Sequence, residues 1–202
     1  MKRILSIAAL LLLACTLLFA QEGTLSTDDS VTTGESEESE VTFDYHVLQQ
    51  GDGYINLNLA LSLPLRPIPN LKVGGEVAIS YTHMILDTIS VGGEACFSYN
   101  ATIGNNVLYF IPILATVGYH PTFGNVELTA SLSLGGAFEN YLDRSYFGLV
   151  VKPEVGAYYK FFPDWSIGIT AGLFILPQWY KDTSKNYTGL ITDIRIGAKY
   201  IF

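Results

Sequence analysis

Leu190-Ile191-Thr192-Asp193-Ile194-Arg195-Ile196-Gly197-Ala198-Lys199-Tyr200-Ile201-Phe202 is the stretch on which the fold turns. Leu190, Ile194, Ile196, Ala198, Tyr200 and Phe202 alternate with Asp193, Arg195, Gly197 and Lys199. A period of two is a strand signal, because successive side chains leave a strand on opposite faces. One face is apolar. The other carries charges and a glycine.

The same period recurs from Tyr54 onward. Ile55, Leu57, Leu59, Leu61 and Leu63 alternate with Asn56, Asn58, Ala60 and Ser62. Further runs begin near Leu71, Ile89, Val107, Val126, Phe147 and Trp165. The run 107–119 is apolar on both faces, with Leu108, Phe110 and Leu114 set against Tyr109, Ile111 and Ile113. Turn-forming groups separate the runs, including Pro67-Ile68-Pro69-Asn70, Gly104-Asn105-Asn106 and Pro163-Asp164. Eight strands of about 10–15 residues, the length a tilted membrane strand needs, predict an all-β chain. The expected fold is an eight-stranded antiparallel up-and-down transmembrane barrel over 51–202.

Three features put the apolar face outside. The polar face is mostly Gly, Ser, Thr and Asn, which suits the cramped interior of a small barrel. Aromatics on the apolar face gather at strand ends (Tyr81, Tyr99, Tyr119, Phe161, Trp165, Trp179 and Phe202), as interfacial girdles do. Finally, Arg195, Gly197, Tyr200 and Phe202 match the C-terminal insertion signal of bacterial outer-membrane barrels in residue type and spacing. That resemblance implies recognition by the barrel-assembly machinery.

The chain has 202 residues, 11 Lys+Arg against 19 Asp+Glu, and only 15% charged residues. Soluble domains carry about 25%. Residues 22–44 hold eight of the acids (Glu22, Asp28, Asp29, Glu35, Glu37, Glu38, Glu40 and Asp44) and no Lys or Arg. The acidity therefore belongs to a segment, and no basic face exists for nucleic acid. Lys2 and Arg3 before the apolar run Ile4–Phe19 form a signal peptide over 1–20, cleaved after Ala20, with lipoprotein processing at Cys15 as the alternative. Residues 21–50 read as an acidic disordered tail.

The stretches Val73-Gly74-Gly75, Thr102 to Ile113, Tyr141-Leu142-Asp143-Arg144, Lys152-Pro153-Glu154 and Leu176-Pro177-Gln178-Trp179-Tyr180 resemble the small eight-stranded outer-membrane proteins of treponemal spirochaetes. These are grouped with OmpW/AlkL barrels, with OmpX-like barrels as an architectural alternative. The resemblance implies passive passage of small hydrophobic solutes; the alternative is a non-conducting structural or host-contact barrel. An even-stranded barrel keeps both ends periplasmic. The tail is then periplasmic, and loops near 64–70, 100–106, 139–146 and 177–189 are extracellular.

Glu76, Glu94, Lys152, Glu154, Asp193 and Arg195 fall on inward positions at similar depth and are expected to form a lumenal ion-pair network, since buried charges must be paired. Pro112 and Pro153 are expected to break ladders, most simply as bulges. His46, His83 and His120 lie away from the outer leaflet, and no nucleophile or metal-ligand motif is present. No enzyme activity, metal or cofactor is expected. The expected partners are outer-membrane lipid, the assembly machinery and a small hydrophobic solute, for a barrel acting as a monomer.

Overall fold

The structure, a computed structural model, describes residues 46–65, 71–102, 106–141, 144–179 and 187–202. The expected signal peptide over 1–20 and the acids of 22–44 lie outside these residues. Among the described residues there are nine antiparallel strands: β1 (Gly53–Pro64), β2 (Gly74–Leu86), β3 (Ile89–Ala101), β4 (Val107–Tyr119), β5 (Thr122–Phe123), β6 (Val126–Tyr141), β7 (Arg144–Phe162), β8 (Trp165–Gln178) and β9 (Tyr187–Ile201). β5 is a two-residue ladder in the turn before β6. The other eight pair in sequence order, and β1 pairs with β9 to close the barrel. Gly124, at φ +57°, supplies the left-handed residue of that turn.

The ring closes with an offset. From Ile55, successive partners are Tyr81, Gly93, Ala115, Leu134, Val151, Ile175 and Leu190. Leu190 accepts from the Leu65 N–H, ten residues along the strand where the path began. Such a shear tilts the strands by about 40°. Residues paired across strands therefore climb the wall, and charges from distant registers meet at one height.

Polarity is inverted relative to a soluble domain. Leu59, Ile169 and Ile196 expose 60–68% of their surface outside, whereas Arg195 and Lys160 expose none inside. A continuous apolar band of this kind is stable in lipid and not in water. Rings rim both ends of the band. Tyr81–Phe202 and Trp165–Tyr200 lie 6.3 and 5.0 Å apart at the end holding Gly53 and Phe202, the terminal end; Phe97–Tyr109 and Phe138–Phe147 lie 6.3 and 4.8 Å apart at the opposite end. β4 resolves its two apolar faces: Leu108, Phe110 and Leu114 point in, and Tyr109, Ile111 and Ile113 point out.

Three expectations need correction. The loops near 139–146 and 177–189 are shorter than expected, because β6, β7 and β8 continue beyond the apolar band. There the ladder, not hydrophobicity, keeps the chain extended, with Glu139, Asn140 and Gln178 on it. Pro112 and Pro153 do interrupt pairing, between Ala95/Ile113 and Ser98/Phe110 and between Val151/Ile175 and Glu154/Gly172, but the register is the same on either side. These are gaps, not bulges: each proline lacks a donor on one side while pairing with Ala137 or Leu132 continues on the other. The tail is not free up to residue 50. Leu48 is buried with Tyr54, Met84 and Ile201, and Gln50 N–H donates to Asp87 Oδ1 at 3.0 Å.

Phe202 closes the seam. Its N–H donates to Gly53 O at 2.9 Å, and Gly53 N–H donates to Phe202 O at 3.1 Å. Deleting Phe202 removes both bonds and the ring packed on Gly53 and Tyr81. The truncated chain should lose about 1–3 kcal/mol on refolding into vesicles, read from its urea midpoint.

Candidate functional site

The lumen is layered, and its central layer is a knot of charge. Arg195 on β9 and Glu76 on β2 flank Ala60 on β1, whose small side chain lets the guanidinium reach across and pair with Glu76. Arg195 Nη1 lies 2.8 Å from Glu94 Oε2 and 3.3 Å from Glu154 Oε2, and its Nε pairs with Asp193. Lys152 Nζ lies 2.9 Å from Glu94 Oε1, 2.5 Å from Glu154 Oε2 and 3.8 Å from Asp193 Oδ2. All six residues singled out from the sequence thus meet in one cluster. Gly172, between Asp193 and Glu154 in register, leaves the space: a Cβ there would strike Asp193 and come within 2.8 Å of Lys152 Cε.

An apolar layer covers the knot on the side away from the termini. Phe110, Ala137, Val150, Phe174, Leu176 and Ile191 are buried together, and the Phe110 and Phe174 rings meet edge-on at 5.3 Å. Phe174 also faces the cations, its centroid 5.1 Å from Lys152 Nζ and 5.9 Å from the Arg195 guanidinium carbon. Beyond this layer, Asn100 ties β3 to Ser62, and Glu139 accepts from Gln178 at 2.6 Å.

Toward the termini lies a polar chamber of about 40 Å³, walled by Ser80, Thr116, Ser131 and Ser133 and bounded by Glu94 and Glu154. It has room for about three waters. A second charged layer closes it. Lys199 Nζ is 2.6 Å from Glu127 Oε1 and lies over the rings of Tyr54 and Tyr158 at 4.4 and 4.1 Å. His120 Nδ1 is 3.0 Å from the same Glu127 oxygen, and His120 Nε2 is 2.7 Å from Ser90 Oγ. Leu48 and its apolar partners cap this layer.

Sequence reasoning singled out the first layer and missed the second. Its signal was present: Glu127, Lys160 and Lys199 all occupy inward parity, but near strand ends, where parity alone does not separate lumen from rim. Ser90, His120 and Glu127 stand in the order of a nucleophile relay. Glu127 is shared with Lys199, and the adjoining chamber is small.

Fold and lumen together define the class, a closed eight-stranded antiparallel barrel with the architecture of outer-membrane proteins and a filled interior. A protein-family model matches residues 34–200, and the chain belongs to that family. Relatives occur in Treponema pallidum (strain Nichols). One uncharacterized protein is 32% identical over 129 residues, 64% of this chain and 59% of the relative, and another is 28% identical over 111 residues. The chain thus spans about three fifths of the first relative and less of the second. Among solved structures, Neisserial surface protein A has TM-score 0.60 and 14% identity over 75% of this chain and 99% of that one. OprG of Pseudomonas aeruginosa has TM-score 0.53 and 12% identity over 79% and 99%. Ail of Yersinia pestis, in complex with a heparin analogue, has TM-score 0.55 and 16% identity over 76% and 100%. At these identities the likeness is one of fold.

Replacing Arg195 alone leaves buried carboxylates without their main partner, so Arg195→Leu should cost about 3–5 kcal/mol in vesicle refolding experiments. Adding Glu76→Gln should recover part of that loss, a coupling of about 1–3 kcal/mol in a double-mutant cycle. Strict additivity would show that the two side chains do not interact.

Proposed function

We propose that the protein is an integral outer-membrane barrel that does not conduct along its axis and serves as a closed structural or surface-contact element. The observation that carries this reading is the sealed stack of apolar and charged side chains across the lumen. Arg195, Phe110, Phe174, Val150 and Ile191 each have almost no exposure. Opening an axial path would mean separating buried ion pairs, each break costing about 3–5 kcal/mol. On this reading the termini face the periplasm and the connections near 65–73, 102–106, 142–143 and 179–186 face outward. Insertion proceeds through the assembly machinery reading Arg195, Gly197, Tyr200 and Phe202, and the barrel works as a monomer. Proteoliposomes should show no protein-dependent flux of ions or small sugars. Flux above empty vesicles at matched insertion would overturn the closed reading.

A second reading, passage of small apolar solutes, is favoured by one feature. The ladder gap beside Pro112 lies next to Cys96, Phe110 and Leu114, members of the buried apolar cluster. A solute entering from the loop end would then leave sideways into lipid without crossing the charges. Uptake of a small apolar dye by proteoliposomes, lost when Phe97→Cys and Ile111→Cys are cross-linked in a Cys96→Ala background, would support it. Uptake equal to that of protein-free vesicles would remove it.

A further inference from the structure

The charged layer nearest the termini carries one positive charge more than its carboxylate neutralises. Lys160 on β7, Ser166 on β8 and Lys199 on β9 are consecutive partners in register, all inward and all with 1% exposure or less. Lys199 is committed to Glu127 and to the rings of Tyr54 and Tyr158. Lys160 Nζ is sealed from solvent without a hydrogen-bond partner, and so is the Ser166 Oγ beside it. The other titratable groups facing this layer are His120, Tyr54 and Tyr158, none of which supplies a negative charge at neutral pH. At the rim, Asp52 is engaged with His46 and Gln49, Asp87 with Gln50, and Asp164 in the β7–β8 turn is exposed to solvent. Rotating Lys160 toward the unpartnered Glu127 Oε2 would not restore balance, because one carboxylate would then face two ammonium groups.

A buried ammonium without a counter-charge is strongly unfavourable. We propose that a small anionic group, of carboxylate or halide size, binds between Lys160 Nζ and Ser166 Oγ. The ammonium supplies the charge and the hydroxyl a second donor. The anion is a dissolved ion. The unpartnered Lys160 and Ser166 distinguish this site from the central knot, where Arg195 and Lys152 already touch carboxylates.

The test is the thermal unfolding midpoint of the full chain in lipid vesicles. A bulky anion is exchanged for chloride or formate at constant ionic strength. Wild type is compared with Lys160→Met. A bound anion gives a saturable rise of about 5 °C in wild type that Lys160→Met lacks. A wild type indifferent to chloride and formate, or identical responses of wild type and Lys160→Met, would overturn the site. If Lys160→Met does not fold, Lys160→Arg and Ser166→Ala serve instead. Both keep the layer's charge and should shift the half-saturating anion concentration several-fold; no shift would overturn the site.

Discussion

Arg195 has no exposed surface and contacts four carboxylates drawn from β2, β3, β7 and β9. Much of the barrel is arranged to make that burial tolerable. A buried guanidinium requires carboxylates at fixed places, and those places require strands tilted and sheared so that residues far apart in register share one height. Small residues must also stand between the partners. Ala60 and Gly172 do this, and a larger side chain at either would fill the space the ion pairs use. Charge pairing inside the lumen therefore constrains register as strongly as hydrophobicity does outside.

The exterior obeys the opposite rule. Lipid satisfies no backbone group, so the sheet must close, and it rewards apolar side chains over the whole circumference. The prolines show how far the closure bends without failing. Each leaves a local gap on one side and keeps both register and pairing on the other. Because the register is preserved, the inward and outward faces never exchange, and the charged and apolar layers stay in place.

Fold and central knot were legible in the sequence because both follow from period two. Parity put Glu76, Glu94, Lys152, Glu154, Asp193 and Arg195 inside, and counting from the strand ends put them near one depth. The remainder was not legible for physical reasons. Leu48 is a single apolar residue after an acidic stretch, and its burial depends on a mouth formed by Tyr54, Met84 and Ile201, distant in sequence. Lys160 and Lys199 share inward parity with the knot, but only the shear shows that they sit in a sealed layer and not at an open rim. At Pro112 and Pro153 the sequence shows the missing donor without showing that the ladder resumes in register, so it predicts bulges where the structure has gaps. Strand ends beyond the apolar band carry no hydrophobic signal, which made the loops near 139–146 and 177–189 seem longer than they are.

A closed barrel requires a lumen sealed both above and below its small chamber. Cysteine accessibility in a Cys96→Ala background measures this directly, with a charged, membrane-impermeant thiol reagent added to both sides of folded barrels in vesicles. Cysteine placed at Ser131, on the chamber wall, should react at least about a hundredfold more slowly than cysteine at Asp87 in the exposed turn. That factor corresponds to a barrier of about 2.7 kcal/mol, below the cost of breaking one buried ion pair. Comparable rates at the two positions would contradict a sealed interior.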